Sequence, residues 1–290
     1  MDAPKPVPQP SAASAARRTP AGAVASPTSA QATARLALAC LDLTSLNDND
    51  DEAAIERLCE RAVGAPGRAE VAAVCVWPRF AALARQRLPA SIRVAAVANF
   101  PAGGSDVEAA VRDTAAIVAA GAEEVDVVLP WRDLAAAPAL LRAVRRACQG
   151  RVLKVILETG ELASDEAIGN ACRIALDAGA DFLKTSTGKV RVNATPHAAR
   201  LLLHAIATDP QAAPRVGLKA AGGIRTVADA AVYLALVAEY LGPEAVRPAR
   251  FRIGASGLLD DIEAVLAGGA AAPGSLPGSP PGSPPGSPTY

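Results

Sequence analysis

The chain has 290 residues, with 29 lysines and arginines against 29 aspartates and glutamates, so its charge gives no reason to expect nucleic acid or an anionic membrane as partner. Aromatic residues make up only 3%, which argues against base-stacking surfaces, and no run approaches the ~20 apolar residues of a spanning helix. Cys40, Cys59, Cys75, Cys148 and Cys172 are scattered without CxxC spacing; they read as reduced thiols of a cytoplasmic protein, with neither a disulfide framework nor a zinc site.

Residues 1–30 are rich in Pro, Ala, Ser and Thr and bury too little apolar surface to offset the entropy of ordering, so a disordered tail is expected there. From 31 to 267 strand and helix signals alternate. Strand-like apolar runs fall near Leu41–Thr44, Val71–Trp77, Ile92–Ala98, Glu124–Leu129, Val152–Glu158, Phe182–Thr185, Val216–Lys219 and Phe251–Gly254. Helical spacing runs through Asp51–Val63, Asp106–Ala120, Leu134–Cys148, Asp165–Ala178, Pro196–Ala207 and Val227–Tyr240. Ser164 and Thr195-Pro196 suit helix N-termini, and Gly121 and Gly179 suit C-terminal stops. Eight such units predict the α/β class and a closed (β/α)8, or TIM, barrel in place of a doubly wound sheet. Residues 268–290 carry PGS and PPGS repeats and read as a second disordered, linker-like tail.

The chemistry gathers where strands end. Phe182-Leu183-Lys184 and Val216-Gly217-Leu218-Lys219 each deliver one lysine from an apolar run and then break into small residues. Burial at a strand end favours the neutral amine, and a second ammonium on the neighbouring strand favours it further. Lys184 and Lys219 are thus candidate nucleophile and activator, and the pattern alone is symmetric between them. Lys154 is expected in a structural ion pair of the barrel interior. Asp126, in an otherwise apolar strand, must either bridge to a lysine or move protons. Asp42 is a second buried-looking carboxylate, fit for a proton network or for capping the first loop. Cys75 sits at a strand end, where it is an inert small hydrophobe or a thiol open to aldehydes.

Loops after the late strands of such barrels recurrently bind phosphate. Gly188, Gly222, Gly223, Gly254 and Gly257 let backbone N–H groups approach an anion. Ser256 adds a hydroxyl donor, and Lys189 and Arg225 add charge. His197 and His204 lack a third metal ligand, so no zinc site is expected.

Eight ordered segments carry a family resemblance: LDLTSLND from Leu41, AAVCVWPRF from Ala72, NFPAGG from Asn99, EEVDVVLPW from Glu123, LKVILETGEL from Leu153, DFLKTSTGKVRVNATP from Asp181, VGLKAAGGIRT from Val216 and FRIGASGLL from Phe251. Between about Leu36 and Leu266 the chain resembles the deoxyribose-phosphate aldolases, a class I aldolase family. The resemblance implies reversible cleavage of 2-deoxy-D-ribose 5-phosphate to D-glyceraldehyde 3-phosphate and acetaldehyde, without cofactor. It makes Lys184 the imine-forming lysine, Lys219 its partner, Asp126 the acid/base group and Asp42 the residue that orients sugar hydroxyls. It further implies small phosphosugar and aldehyde partners and a homodimer, and suggests that the terminal Tyr290 reaches the site to assist proton transfer. Two positions depart from the commonest family pattern, Ala220 for a proline and Gly257 for a serine. Rival readings are another Schiff-base barrel enzyme, such as a transaldolase or keto-acid aldolase, and an inactive phosphosugar-binding barrel.

Overall fold

The computed structural model describes residues 27–64, 70–162, 164–270 and 272–274. Parallel strands β1 (Leu41–Thr44), β2 (Ala73–Val76), β3 (Arg93–Ala98), β4 (Glu124–Val128), β5 (Val152–Ile156), β6 (Phe182–Lys184), β7 (Gly217–Ala221) and β8 (Phe251–Ala255) pair in sequence order. β8 closes on β1, with Asp42 opposite Gly254. The expected (β/α)8 barrel is the fold of this chain.

Helices α2 (Glu52–Val63), α3 (Ala81–Arg87), α4 (Val107–Ala119), α5 (Ala137–Ala147), α6 (Asp165–Asp177), α7 (Pro196–Thr208), α8 (Val227–Leu241) and α9 (Leu258–Leu266) follow the strands in turn, and α1 (Pro27–Ala39) precedes β1. Their N-termini are set by side-chain caps: Asp51, Asp106, Ser164, Thr195 and Thr226 each accept from a backbone N–H inside the first turn. Each such cap contributes about 1 kcal/mol. Gly121 and Gly179, at φ 86 and φ 85, take the left-handed conformation that ends α4 and α6.

Strand alternation divides the barrel wall in two. Leu41, Leu43, Val74, Val76, Val125, Val127, Leu153, Val155, Leu183, Leu218 and Ile253 are buried in the layer shared with the helices. Burying each such side chain stabilises the fold by ~1.5–3 kcal/mol. The barrel interior is different: beside a small apolar group of Leu46, Cys75, Ala95 and Val97, it is occupied by charges.

Three helices differ from expectation. α1 begins at Pro27, inside the stretch assigned to the tail, and buries Ala34, Ala37 and Leu38 where it packs against α8 and α9. Docking, not a continuous apolar run, holds it. α3 and α9 are too short to show a clear period, at 7 and 9 residues. Of the expected C-terminal tail only 268–270 and 272–274 are described; Tyr290, like residues 1–26, lies outside the described residues. No helix among the described residues is long and apolar enough to cross a membrane.

Candidate active site

Every second residue of a barrel strand faces inward. Here those positions place Asp42 of β1, Glu124 and Asp126 of β4, Lys154 of β5, Lys184 of β6, Lys219 of β7 and Arg252 of β8 in one buried cluster. Asp126 is its hub. Its Oδ2 accepts from Lys184 Nζ at 2.8 Å and from Lys219 Nζ at 2.7 Å, and its Oδ1 accepts from Lys154 Nζ at 2.7 Å. Lys219 Nζ also lies 2.6 Å from Asp42 Oδ2, an ion-pair contact. Arg252 donates to Asp42 Oδ1 at 2.6 Å and forks onto Glu124 at 2.7 and 3.1 Å. Lys154 Nζ is 2.5 Å from Glu124 Oε2.

The cluster holds three carboxylates and four cationic side chains. With every group ionised it carries one excess positive charge in a water-poor interior, which deprotonating one amine relieves. Of the three lysines, only Lys184 is shifted in that direction. Burial lowers its pKa and Lys219 lowers it further, against the pull of Asp126. Lys154 and Lys219 move the other way: burial would lower them, but Asp126, with Glu124 and Asp42 respectively, outweighs it. Burial likewise would raise Asp126, yet Lys154, Lys184 and Lys219 hold it well below the usual carboxylate range. Asp42 is held low by Lys219, Arg252 and Lys154 despite its burial.

Lys184 alone of the cluster also lines a cleft of about 960 Å³ at the C-terminal mouth of the barrel. The other lysines and the carboxylates lie beneath it. Gly188, Lys189, Gly222, Gly223, Arg225, Gly254, Ser256 and Gly257 all line this cleft, so the residues expected to hold phosphate are brought together within reach of Lys184. The β7–α8 turn is built for close approach: Gly222 and Gly223 have φ 85 and φ 84, and a Cβ on Gly222 would lie 2.7 Å from Asn193 Cβ. Asp229 Oδ2 fixes the turn by accepting from the N–H of Arg225 at 3.1 Å and of Thr226 at 3.0 Å. Gly257 is the N-cap of α9, whose unpaired N–H groups favour an anion. Lys189 Nζ stands 3.9 Å from the exposed Asp48, leaving its charge largely available to the cleft.

Lys154 occupies the interior ion pair expected of it. Asp42 does not cap the first loop; Asp50 does, accepting from the N–H of Asn47 at 2.9 Å and from Ser45 Oγ at 2.8 Å. Cys75 is buried with its Sγ 3.9 Å from Asp126 Oδ2, and burial raises its pKa, which disfavours the reactive thiolate. Sequence reasoning missed Glu124, Arg252, Arg191 and Asn193. Glu124 had a usable signal, since it shares the inward face of β4 with Asp126 at i and i+2; Arg252 is likewise a charge inside an apolar strand. Arg191 and Asn193 line the cleft from an irregular loop, where no periodicity marks them. Among the described residues no group of three or more His, Cys, Asp or Glu is placed to hold a metal ion.

The fold is a (β/α)8 barrel, and comparison with known proteins makes this one an aldolase. The chain belongs to the DeoC/LacD family of aldolases, whose model matches residues 36–262. It is 47% identical over 247 residues to the deoxyribose-phosphate aldolase of Agrobacterium fabrum (strain C58 / ATCC 33970), a match spanning 82% of this chain and 93% of that protein. Among solved structures it is similar to a provisionally assigned deoxyribose-phosphate aldolase from Toxoplasma gondii ME49, with a TM-score of 0.75 and 26% identity over 83% of this chain and 97% of that one. The tetrameric deoxyribose phosphate aldolase of Aeropyrum pernix shares the fold at a TM-score of 0.64 and 24% identity, over 82% of this chain and 92% of that one.

Proposed function

We propose that this aldolase reversibly cleaves 2-deoxy-D-ribose 5-phosphate to D-glyceraldehyde 3-phosphate and acetaldehyde through a Schiff base on Lys184, without a metal or organic cofactor. The observation that carries the reading is the placement of Lys184: it lines a cleft of about 960 Å³ together with the glycine turns, Lys189 and Arg225, its pKa is lowered, and its amine donates to a carboxylate oxygen shared with Lys219.

In this mechanism the neutral Lys184 Nζ attacks C1 of the open-chain aldehyde, and the resulting carbinolamine takes up a proton at its hydroxyl and loses water to give a protonated imine. The 3-hydroxyl gives up its proton to the carboxylate–amine relay, which later returns one to C2; the C2–C3 bond breaks, and its electron pair flows into the imine as an enamine. Glyceraldehyde 3-phosphate departs. Protonation at C2 and hydrolysis then release acetaldehyde, return the water and regenerate the amine. Asp126, in contact with both amines through Oδ2, passes protons between Lys184 and Lys219. Asp42 anchors Lys219 and orients sugar hydroxyls, while the glycine turns, Ser256, Lys189 and Arg225 hold the phosphate. We infer further that it acts on small phosphosugars and aldehydes in deoxyribonucleotide catabolism in the cytoplasm, and the family resemblance favours a homodimer.

Substrate profiling tests the reading. Deoxyribose 5-phosphate is turned over, with both products identified by mass, and transaldolase and keto-acid substrates are not. Exhaustive dialysis against EDTA leaves the rate intact; inhibition reversed by zinc contradicts the proposal, because a metal would then supply the electrophile.

A further inference from the structure

Glu158 stands just beyond β5 and is fully buried. Its backbone takes φ 57, the left-handed region that a residue with a Cβ enters only when its surroundings require it. Those surroundings are two backbone bonds that knit the β5 and β6 ends together, Leu157 N–H to Lys184 O and Thr159 N–H to Thr185 O, and a local turn closed by Glu161 N–H to Glu158 O, each at 2.9 Å. The twisted backbone turns the side chain toward the loop after β6, where Oε1 accepts from the N–H of Thr187 at 3.1 Å. Thr187 in turn accepts, through Oγ1, from the N–H of Lys189 at 3.0 Å. Thr187, Gly188 and Lys189 line the cleft; Glu158 does not.

We propose that Glu158 is a positioning residue: it clamps the Thr187 N–H and so holds the Thr187–Gly188–Lys189 segment, one wall of the cleft, in the shape that receives the phosphate. The inference rests on the proposed phosphosugar reading for its effect on substrate, and on geometry alone for the clamp. A carboxyl that served only to fill space at this position would be replaced at less cost by an apolar side chain, since Oε2 is buried without a hydrogen-bond partner. Burial raises the pKa of Glu158, against the hydrogen bond from Thr187, so a neutral amide is a close substitute for it.

Two variants separate the clamp from fold maintenance. Glu158→Gln keeps an acceptor for Thr187, whereas Glu158→Gly removes the acceptor while relieving the left-handed backbone. Hydrogen exchange at the Thr187 amide, read by NMR on the full chain, stays slow in the wild type and in Glu158→Gln and accelerates about tenfold or more in Glu158→Gly. In the same proteins KM for deoxyribose 5-phosphate rises about tenfold in Glu158→Gly, is restored in Glu158→Gln, and changes far less for unphosphorylated deoxyribose. Unchanged Thr187 exchange in Glu158→Gly overturns the clamp. Equal losses on both sugars, unrescued by glutamine, overturn its role in phosphate binding. A wild-type chain that fails to turn over deoxyribose 5-phosphate sinks the substrate reading instead, and the exchange experiment still decides the clamp.

Discussion

Lys184 and Lys219 occupy paired register positions on β6 and β7 and donate to the same oxygen, Asp126 Oδ2, at 2.8 and 2.7 Å. Two ammonium groups sharing one acceptor repel each other, and the cluster as a whole is one positive charge in excess. Of the two, only Lys184 lines the cleft, and only its pKa is lowered.

The first prediction follows from that sharing. Lys219→Leu removes the neighbouring charge, so the lowered pKa of Lys184 rises toward its ordinary value. The reactive form is the neutral amine, present above that pKa, so the acidic limb of the kcat/KM profile moves to higher pH. Activity also falls, by about 10²- to 10⁴-fold if the proton relay is lost. A slow variant with an unmoved pH profile means that Lys219 acts by touching substrate.

Arg252 bridges Asp42 and Glu124 beneath the catalytic layer. Arg252→Leu leaves two buried carboxylates short of a partner and costs about 3–5 kcal/mol in a urea titration. The Asp42 contribution has a definite sign: its pKa is depressed in the folded state, so the stability is complete above ~3.9 and lost as pH falls through the lower folded value. Loss no greater than that of an exposed ion pair, ~1 kcal/mol, contradicts this assignment.

Much of this was legible in the sequence because a lysine or carboxylate inside an apolar strand has few places to go. Lys184, Lys219, Lys154 and Asp126 stand out for that reason, and strand alternation then sends them to one interior. Their mutual distances were not legible. The closing of β8 on β1 brings Arg252 to Asp42 across 210 positions of chain, and no local pattern encodes that. α1 was missed because it begins inside the Pro/Ala/Ser/Thr-rich stretch and carries no wide apolar stripe, and Asn193 because it reaches the cleft from a loop folded back onto β7, where Ala194 N–H bonds Ala221 O at 3.2 Å.

Ser256 is exposed at the cleft, next to the start of α9. Ser256→Asp places a carboxylate where the phosphate is proposed to sit and raises KM for deoxyribose 5-phosphate about tenfold or more, with little change for unphosphorylated deoxyribose. Matching losses on both substrates put the phosphate elsewhere.

Tyr290 lies outside the described residues, and the proposal that it assists proton transfer at the site is tested by deletion. Deleting Tyr290 lowers kcat and slows exchange of the acetaldehyde methyl protons without raising the phosphate-dependent KM. A truncated enzyme with unchanged exchange and turnover makes the tyrosine an inert appendage.

The central claim is that Lys184 is the nucleophile, and borohydride reduction in the presence of acetaldehyde, followed by peptide mass mapping, tests it most directly. The account predicts a single ethyl adduct on Lys184, absent in Lys184→Leu together with all cleavage activity. An adduct on Lys219 or Lys154, or undiminished labelling and turnover in Lys184→Leu, contradicts it.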